Sequence, residues 1–334
     1  MTAQITIIGL GQMGGSIGLA LAAHSSRLTR LGHDKDPETA HLARKLGAVD
    51  SICYNLPAAV QQADIVLLAV PLNEVYDTLK HIAQDLKEGA VVIDTSPAKR
   101  QVERWALDVL PPRRYYLGIA AAVQSAYLQQ AGGGLQAAHA DLFQDAVFFL
   151  CPPSGTPAEV ADLGMNLARL VGARPIFSDA MEVDGLLATM STLPHLLTVS
   201  LIAVTADQPG WQDARFLAGR SYGAAMAVAF DREDANALCE AALLNRENVV
   251  HALDRYLAAL TDLRRRIADQ DREGLRQLVH QVYQQGHRWL AEPRSAGPAS
   301  LKSSSASSEE PAGLGQHLRQ MVLGRLFDRP LGKQ

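Results

Sequence analysis

Cysteine is scarce in this chain of 334 residues: Cys53, Cys151 and Cys239 are odd in number and far apart. That suggests neither a disulfide framework nor a zinc site, and it fits a reducing cytoplasm. Charge of either sign is also modest. A formal net charge of -4 and a pI near 6.2, with no basic stripe, argue against nucleic acid as a partner. The first apolar run, Ile5-Thr6-Ile7-Ile8, is too short for a signal peptide and reads as a buried strand. One long uncharged run exists, Leu186 to Val204, but Ser191, Thr192, Pro194, His195, Thr198 and Ser200 interrupt it. A helix apolar on all sides between soluble-looking flanks is expected inside a core or between subunits, and no membrane is expected as a partner.

What is present begins at the glycines. Gly9-Leu10-Gly11-Gln12-Met13-Gly14 follows the first strand directly, and Asp34 ends a second apolar stretch, Leu28 to His33. This is the spacing of a dinucleotide-binding turn. The first glycine permits a tight turn, the second lets backbone approach a pyrophosphate, and the third allows the helix to pack on the sheet. An acid at position 34 suits ribose hydroxyls and favours NAD, while Lys35 beside it leaves NADP open. Val70 and Pro71, at the end of the apolar strand Ile65–Val70, are expected beneath the nucleotide as backbone contacts.

Strand-like and helix-like segments alternate over the first 150 residues, which predicts an α/β fold with a Rossmann-type, doubly wound parallel sheet. Further strands are expected at Ala90–Asp94, Tyr115–Ile119 and Val147–Leu150, the last of them. Cys151-Pro152-Pro153-Ser154-Gly155 ends the alternation, and beyond Pro157 only helical periodicity is read. The expected organisation is a dinucleotide-binding domain over 1–152 and an all-helical substrate and dimerisation domain over 153–292. A Ser-, Ala- and Pro-rich linker and tail over 293–334 carries a short amphipathic stretch, Gln316 to Phe327.

From about Ile5 to Leu290 the chain resembles the prephenate/arogenate dehydrogenase family. The carriers are Gly9 to Gly18, Leu68-Ala69-Val70-Pro71, Asp94 with Lys99, Leu142-Phe143, Ala188 to His195, and Leu243-Leu244-Asn245. The resemblance implies a Rossmann domain joined to a helical dimerisation domain, hence a homodimer, and NAD- or NADP-dependent oxidative decarboxylation of a small-molecule substrate in tyrosine biosynthesis. The same motifs depart from the family where chemistry is done. The family's catalytic His-Pro-Met aligns with Ala120-Ala121-Ala122. Its Ser-His-Leu-Pro-His reads Ser191-Thr192-Leu193-Pro194-His195, and a histidine before the aspartate matched by Asp184 reads Val183. The carboxylate-clamping Arg-Ile-Ala reads Ala227-Val228-Ala229. Because a general base contributes roughly 10²–10⁴-fold, these losses point to an intact cofactor site with a rebuilt substrate site.

The groups left to serve are few. Ser96, Lys99 and His195 are the catalytic candidates. Gln124, Ser191, Thr192, Arg220 and Tyr222 are the substrate-binding ones, with Arg220 as a substitute clamp. Tyr127 could point inward, and Asn245 is read as a cap or bridge between helices. Three alternatives remain: a dehydrogenase of a different small acid, an imine reductase or hydroxyacid dehydrogenase of the wider two-domain type, and a catalytically silent nucleotide-binding regulator.

Overall fold

In the computed structural model, residues 2–128, 130, 132–230 and 235–291 are described. The expected linker and tail over 293–334 lie outside them. The first half alternates as the sequence predicts: β1 (Ala3–Ile8), α1 (Gln12–Leu21), β2 (Leu28–His33), α2 (Pro37–Lys45), β3 (Ser51–Ile52), α3 (Leu56–Val60) and β4 (Ile65–Leu68). Then come α4 (Leu72–Ile82), β5 (Val91–Asp94), α5 (Lys99–Val109), β6 (Tyr115–Ala121), β7 (Val147–Cys151), α6 (Ala158–Leu170) and β8 (Arg174–Phe177). The strands form one sheet in the order β3-β2-β1-β4-β5-β6-β7-β8, parallel throughout except between β6 and β7. Continuous apolar strands such as Ile65-Val66-Leu67-Leu68 belong at its centre, since helices cover both faces.

The sheet runs on past the expected hand-over at Cys151–Gly155. Strand β8 pairs with β7 in parallel register from Arg174 to Phe177, so purely helical structure starts near residue 179. Four residues containing Pro175 give no readable alternation, and proline is tolerated there because β8 lies at the sheet's edge.

The remaining elements are helical: α7 (Ala180–Leu187), a π-helical turn (Ala188–Thr192), α8 (Leu193–Ala206), α9 (Trp211–Ala214), α10 (Arg220–Phe230), α11 (Ala235–Leu244), α12 (Arg246–Ala268) and α13 (Arg272–Ala291). The run from Ala180 to Ala206 is long and apolar enough to cross a membrane by length and composition, with a mean hydropathy of 1.6. Only 17% of its most apolar window is buried within this chain, so a buried position in a single-chain core does not account for it.

Candidate nucleotide and substrate site

The glycine turn is built by contact distances. Gly9 adopts φ +88, and a Cβ there would lie 2.5 Å from the Ala69 carbonyl oxygen at the end of β4. At Gly14 a Cβ would fall 2.0 Å from the Gly9 carbonyl oxygen, so the start of α1 can approach the turn only without a side chain. Gly11, the residue preceding α1, is different: its backbone is extended at φ -73, and a Cβ would meet nothing within 4 Å. The turn therefore has two crowded glycines and one that faces open space. Leu10 is fully buried and Met13 packs against the same core, so neither presents its side chain to that space. Gln12 donates its side-chain amide to the Ala137 carbonyl at 3.2 Å, which ties the loop between β6 and β7 to the front of α1.

Asp34 follows β2 and reaches back to this turn. Its Oδ2 accepts from the Leu10 N–H at 2.7 Å, and its Oδ1 accepts from the Asp36 N–H at 2.9 Å. The carboxylate is thus held beside the glycines while half exposed. Lys35 turns away and pairs with Glu74 of α4. Val70 and Pro71 follow β4, with Pro71 immediately before the first residue of α4, so both stand at the carboxyl edge of the sheet.

The next strand carries a buried polar cluster. Lys99 Nζ donates to Asp94 Oδ2 at 2.7 Å and to the Asp94 carbonyl at 2.9 Å, with both side chains 1% exposed or less. Asp94 Oδ1 accepts from the Ser96 N–H at 3.0 Å and its hydroxyl at 2.6 Å, and the Tyr116 hydroxyl donates to Oδ2 at 3.3 Å. Burial and the adjacent Asp94 charge raise the Tyr116 phenol well above its usual range, which keeps it a donor. Ser96 and Lys99, read from the sequence as groups facing substrate, are instead turned onto Asp94 inside the fold. Paired, buried charges are the arrangement that low dielectric demands.

Ala98 sits left-handed at φ 65, a conformation costing a non-glycine residue roughly 1–2 kcal/mol. The turn it makes aims the first amides of α5 at α7, where Asp184 Oδ1 accepts from the Lys99 N–H at 2.6 Å and Oδ2 from the Arg100 N–H at 3.1 Å. Burial nevertheless pushes the Asp184 carboxyl above its usual value. Asn245 extends the link by donating to the Asp184 carbonyl at 2.7 Å, so it bridges α7 to the start of α12. Sequence reasoning passed over Asp184 as a connector because nothing in its local pattern announces a helix cap from 85 residues away.

Two of the positions that depart from the family motifs, 120 and 183, pack together. Ala120, Val183, Cys151 and Ala180 form one small apolar cluster, with Phe149 and Leu187 against it. Two places that the resemblance fills with histidine are therefore occupied by mutually packed aliphatic groups. Burial drives the Cys151 thiol up to about 12, so it offers no thiolate at neutral pH. Thr192 is buried at the end of the π-helical turn, a feature that concentrates at functional sites.

Four residues on from Ser191, His195 Nδ1 lies 2.7 Å from the Ser191 carbonyl oxygen. A carbonyl only accepts, so Nδ1 carries the hydrogen and Nε2 is the basic nitrogen. Gln124 is half-buried, its N–H donating to the Leu142 carbonyl at 2.7 Å. Tyr127 donates to Asp141 at 2.6 Å and stacks on His139 at 4.4 Å. Tyr222 shares a 2.7 Å hydrogen bond with Thr205, tying α10 to α8, while Arg220 opens α10 as an exposed residue.

Comparison with known proteins agrees with this architecture. Residues 17–177 match the model for the prephenate dehydrogenase nucleotide-binding domain, and residues 179–281 that for the prephenate dehydrogenase dimerization domain. The chain is 30% identical over 276 residues to a cyclohexadienyl dehydrogenase of Zymomonas mobilis, covering 80% of this chain and 89% of that protein. It is 26% identical over 282 residues to a prephenate dehydrogenase of Bacillus subtilis, covering 82% and 73%. Its fold matches a crystal structure of prephenate dehydrogenase from A. aeolicus in complex with hydroxyphenyl propionate and NAD+, with a TM-score of 0.74 at 21% identity over 86% of this chain and 98% of that one. With a nucleotide-binding half and a dimerization half in that order, the chain belongs to the prephenate dehydrogenase family.

Proposed function

We propose that this protein is an NAD-dependent dehydrogenase of a small cyclohexadienyl or related hydroxy acid, acting as a homodimer through its helical domain, with a substrate site altered from the family pattern. The observation that carries the reading is the glycine turn: Gly11 faces open space between crowded Gly9 and Gly14, with the Asp34 carboxylate fastened beside it. Gly9, Leu10, Gly11, Gln12, Met13 and Gly14 would hold the pyrophosphate by backbone, Asp34 the adenosine ribose, and Val70 with Pro71 the sheet edge. NAD bound there supplies the hydride acceptor.

The chain's own contribution is orientation and proton handling. His195, with Nδ1 fixed on the Ser191 carbonyl, keeps a buried Nε2 as the nitrogen able to take a proton. The Asp94–Lys99 pair keeps the turn between β5 and α5 rigid, which makes Ser96 and Lys99 positioning residues rather than proton carriers. Arg220 is the cation nominated for a substrate carboxylate. A different acid as the true substrate is favoured by one specific observation, the apolar contact among Ala120, Val183 and Cys151.

Initial rates of NADH formation with prephenate and arogenate test the reading, using the native chain, Ala120→His, Ala227→Arg and the double variant. Native turnover is expected several decades below a typical value of about 10 per second. The double variant should gain more than the two singles together, because base and clamp act on one bound molecule. Ordinary turnover by the native chain would overturn the altered-site reading.

A further inference from the structure

A second pocket lies away from the glycine turn and from positions 120, 195 and 220. It is a cavity of about 210 Å³ between the outer face of α5, the start of α7 and the junction of α11 with α12. Arg100 and Arg104 line it from α5, and Arg246 from the first turn of α12. Met181 and Leu243 give it an apolar rim. Among the described residues, none of these guanidinium groups makes an internal hydrogen bond or ion pair. Each of these exposed arginines presents a planar fork of donors that a bidentate oxyanion fits.

The opposing charge is limited. Asp184 and Glu247 also line the cavity, so two carboxylates stand against three cations, and both Asp184 oxygens are already engaged by the first amides of α5. The lining of α12 adds in the same direction. Arg246, Glu247 and Asn248 are its first residues, and no side chain caps them: Asn245, which precedes the helix, donates to Asp184 and accepts from Asn248 instead. A helix 23 residues long leaves partial positive charge at that end.

We propose that this cavity is a binding site for a small oxyanion, a phosphate or carboxylate group, distinct from the nucleotide site. Its chemistry sets the class: three guanidinium groups around a solvent-open concavity of about 210 Å³ suit a compact oxyanion such as inorganic phosphate or a short dicarboxylate. Its location sets the consequence. Arg100 and Arg104 belong to the nucleotide-binding half and Arg246 to the helical half, so a bound anion clamps the two halves across the same junction that Asp184 and Asn245 stitch.

Calorimetric titration of the full chain with inorganic phosphate and, separately, with succinate, at constant ionic strength, tests this. The native chain should bind one equivalent per chain in the millimolar range or tighter, and the tighter probe identifies the group as phosphoryl or carboxylate. Gly11→Val, which fills the space at the glycine turn, should leave this binding unchanged. Arg104→Gln and Arg246→Gln should each weaken it roughly ten-fold or more while keeping the native urea midpoint, because neither side chain holds the fold. Absence of saturation by either probe at about 10 mM, native affinity retained in both arginine variants, or loss of binding in Gly11→Val would each overturn the proposal. The last outcome would assign the anion to the nucleotide turn.

Discussion

Lys99→Met is the perturbation that most sharply separates a structural from a catalytic role for the buried lysine. Methionine keeps most of the length of the side chain and removes the charge. Asp94 is then left 0% exposed without its cationic partner, retaining only the Ser96 amide, the Ser96 hydroxyl and the longer Tyr116 contact. Breaking a buried pair from one side costs about 3–5 kcal/mol. Three remaining donors place this case near the lower end, about 3 kcal/mol. Asp94→Asn with Lys99→Met leaves no buried charge at all, so the double variant should be more stable than the sum of its parts by at least about 1 kcal/mol. Urea denaturation followed by circular dichroism reads both quantities. A Lys99→Met chain with native stability, or strictly additive costs, would refute the structural assignment and return Lys99 to the catalytic candidates.

Other outcomes follow from the same geometry. Light scattering at micromolar concentration should give about twice the 35.9 kDa chain mass, because only 17% of the most apolar window within Ala180–Ala206 is buried on a single chain and Met190 is 77% exposed. A clean monomer would contradict the dimer. Acid sensitivity should include a contribution from Asp50. Burial pushes its carboxyl up, but the Arg30 guanidinium and amide outweigh that and hold it below its usual value. A depressed carboxylate stabilises above its unfolded pKa, and that stability is lost as pH falls through the folded value. Arg30→Met should therefore flatten the acid side of the stability profile below about pH 4, and an unchanged profile would contradict it.

The half of the molecule that binds nucleotide was legible because its constraints are local. Gly9, Gly11, Gly14 and Asp34 carry their geometry within a single strand-turn-helix-strand unit, and the apolar strands announce a sheet covered on both faces. What was not legible depends on pairing between distant segments. Strand β8 is four residues with a proline, visible only through its partner β7. Lys99 sits in a motif at the sheet's carboxyl edge, and nothing in the order Asp94-Thr95-Ser96-Pro97-Ala98-Lys99 tells that a left-handed Ala98 folds the lysine back onto Asp94. The motif departures at 120 and 183 were readable one by one. Their packing into one buried apolar cluster belongs to the fold.

The central claim is that NAD occupies the glycine turn, and calorimetric titration of NAD into the native chain and Gly11→Val tests it most directly. The substitution is well placed for the purpose, since an added Cβ meets no protein atom within 4 Å and the backbone at Gly11 is open to any residue. The native chain should bind NAD with one site per chain, and Gly11→Val should fail to bind while keeping its urea midpoint, because the new side chain fills space reserved for the pyrophosphate. Equal NAD affinity in the two proteins would contradict the account.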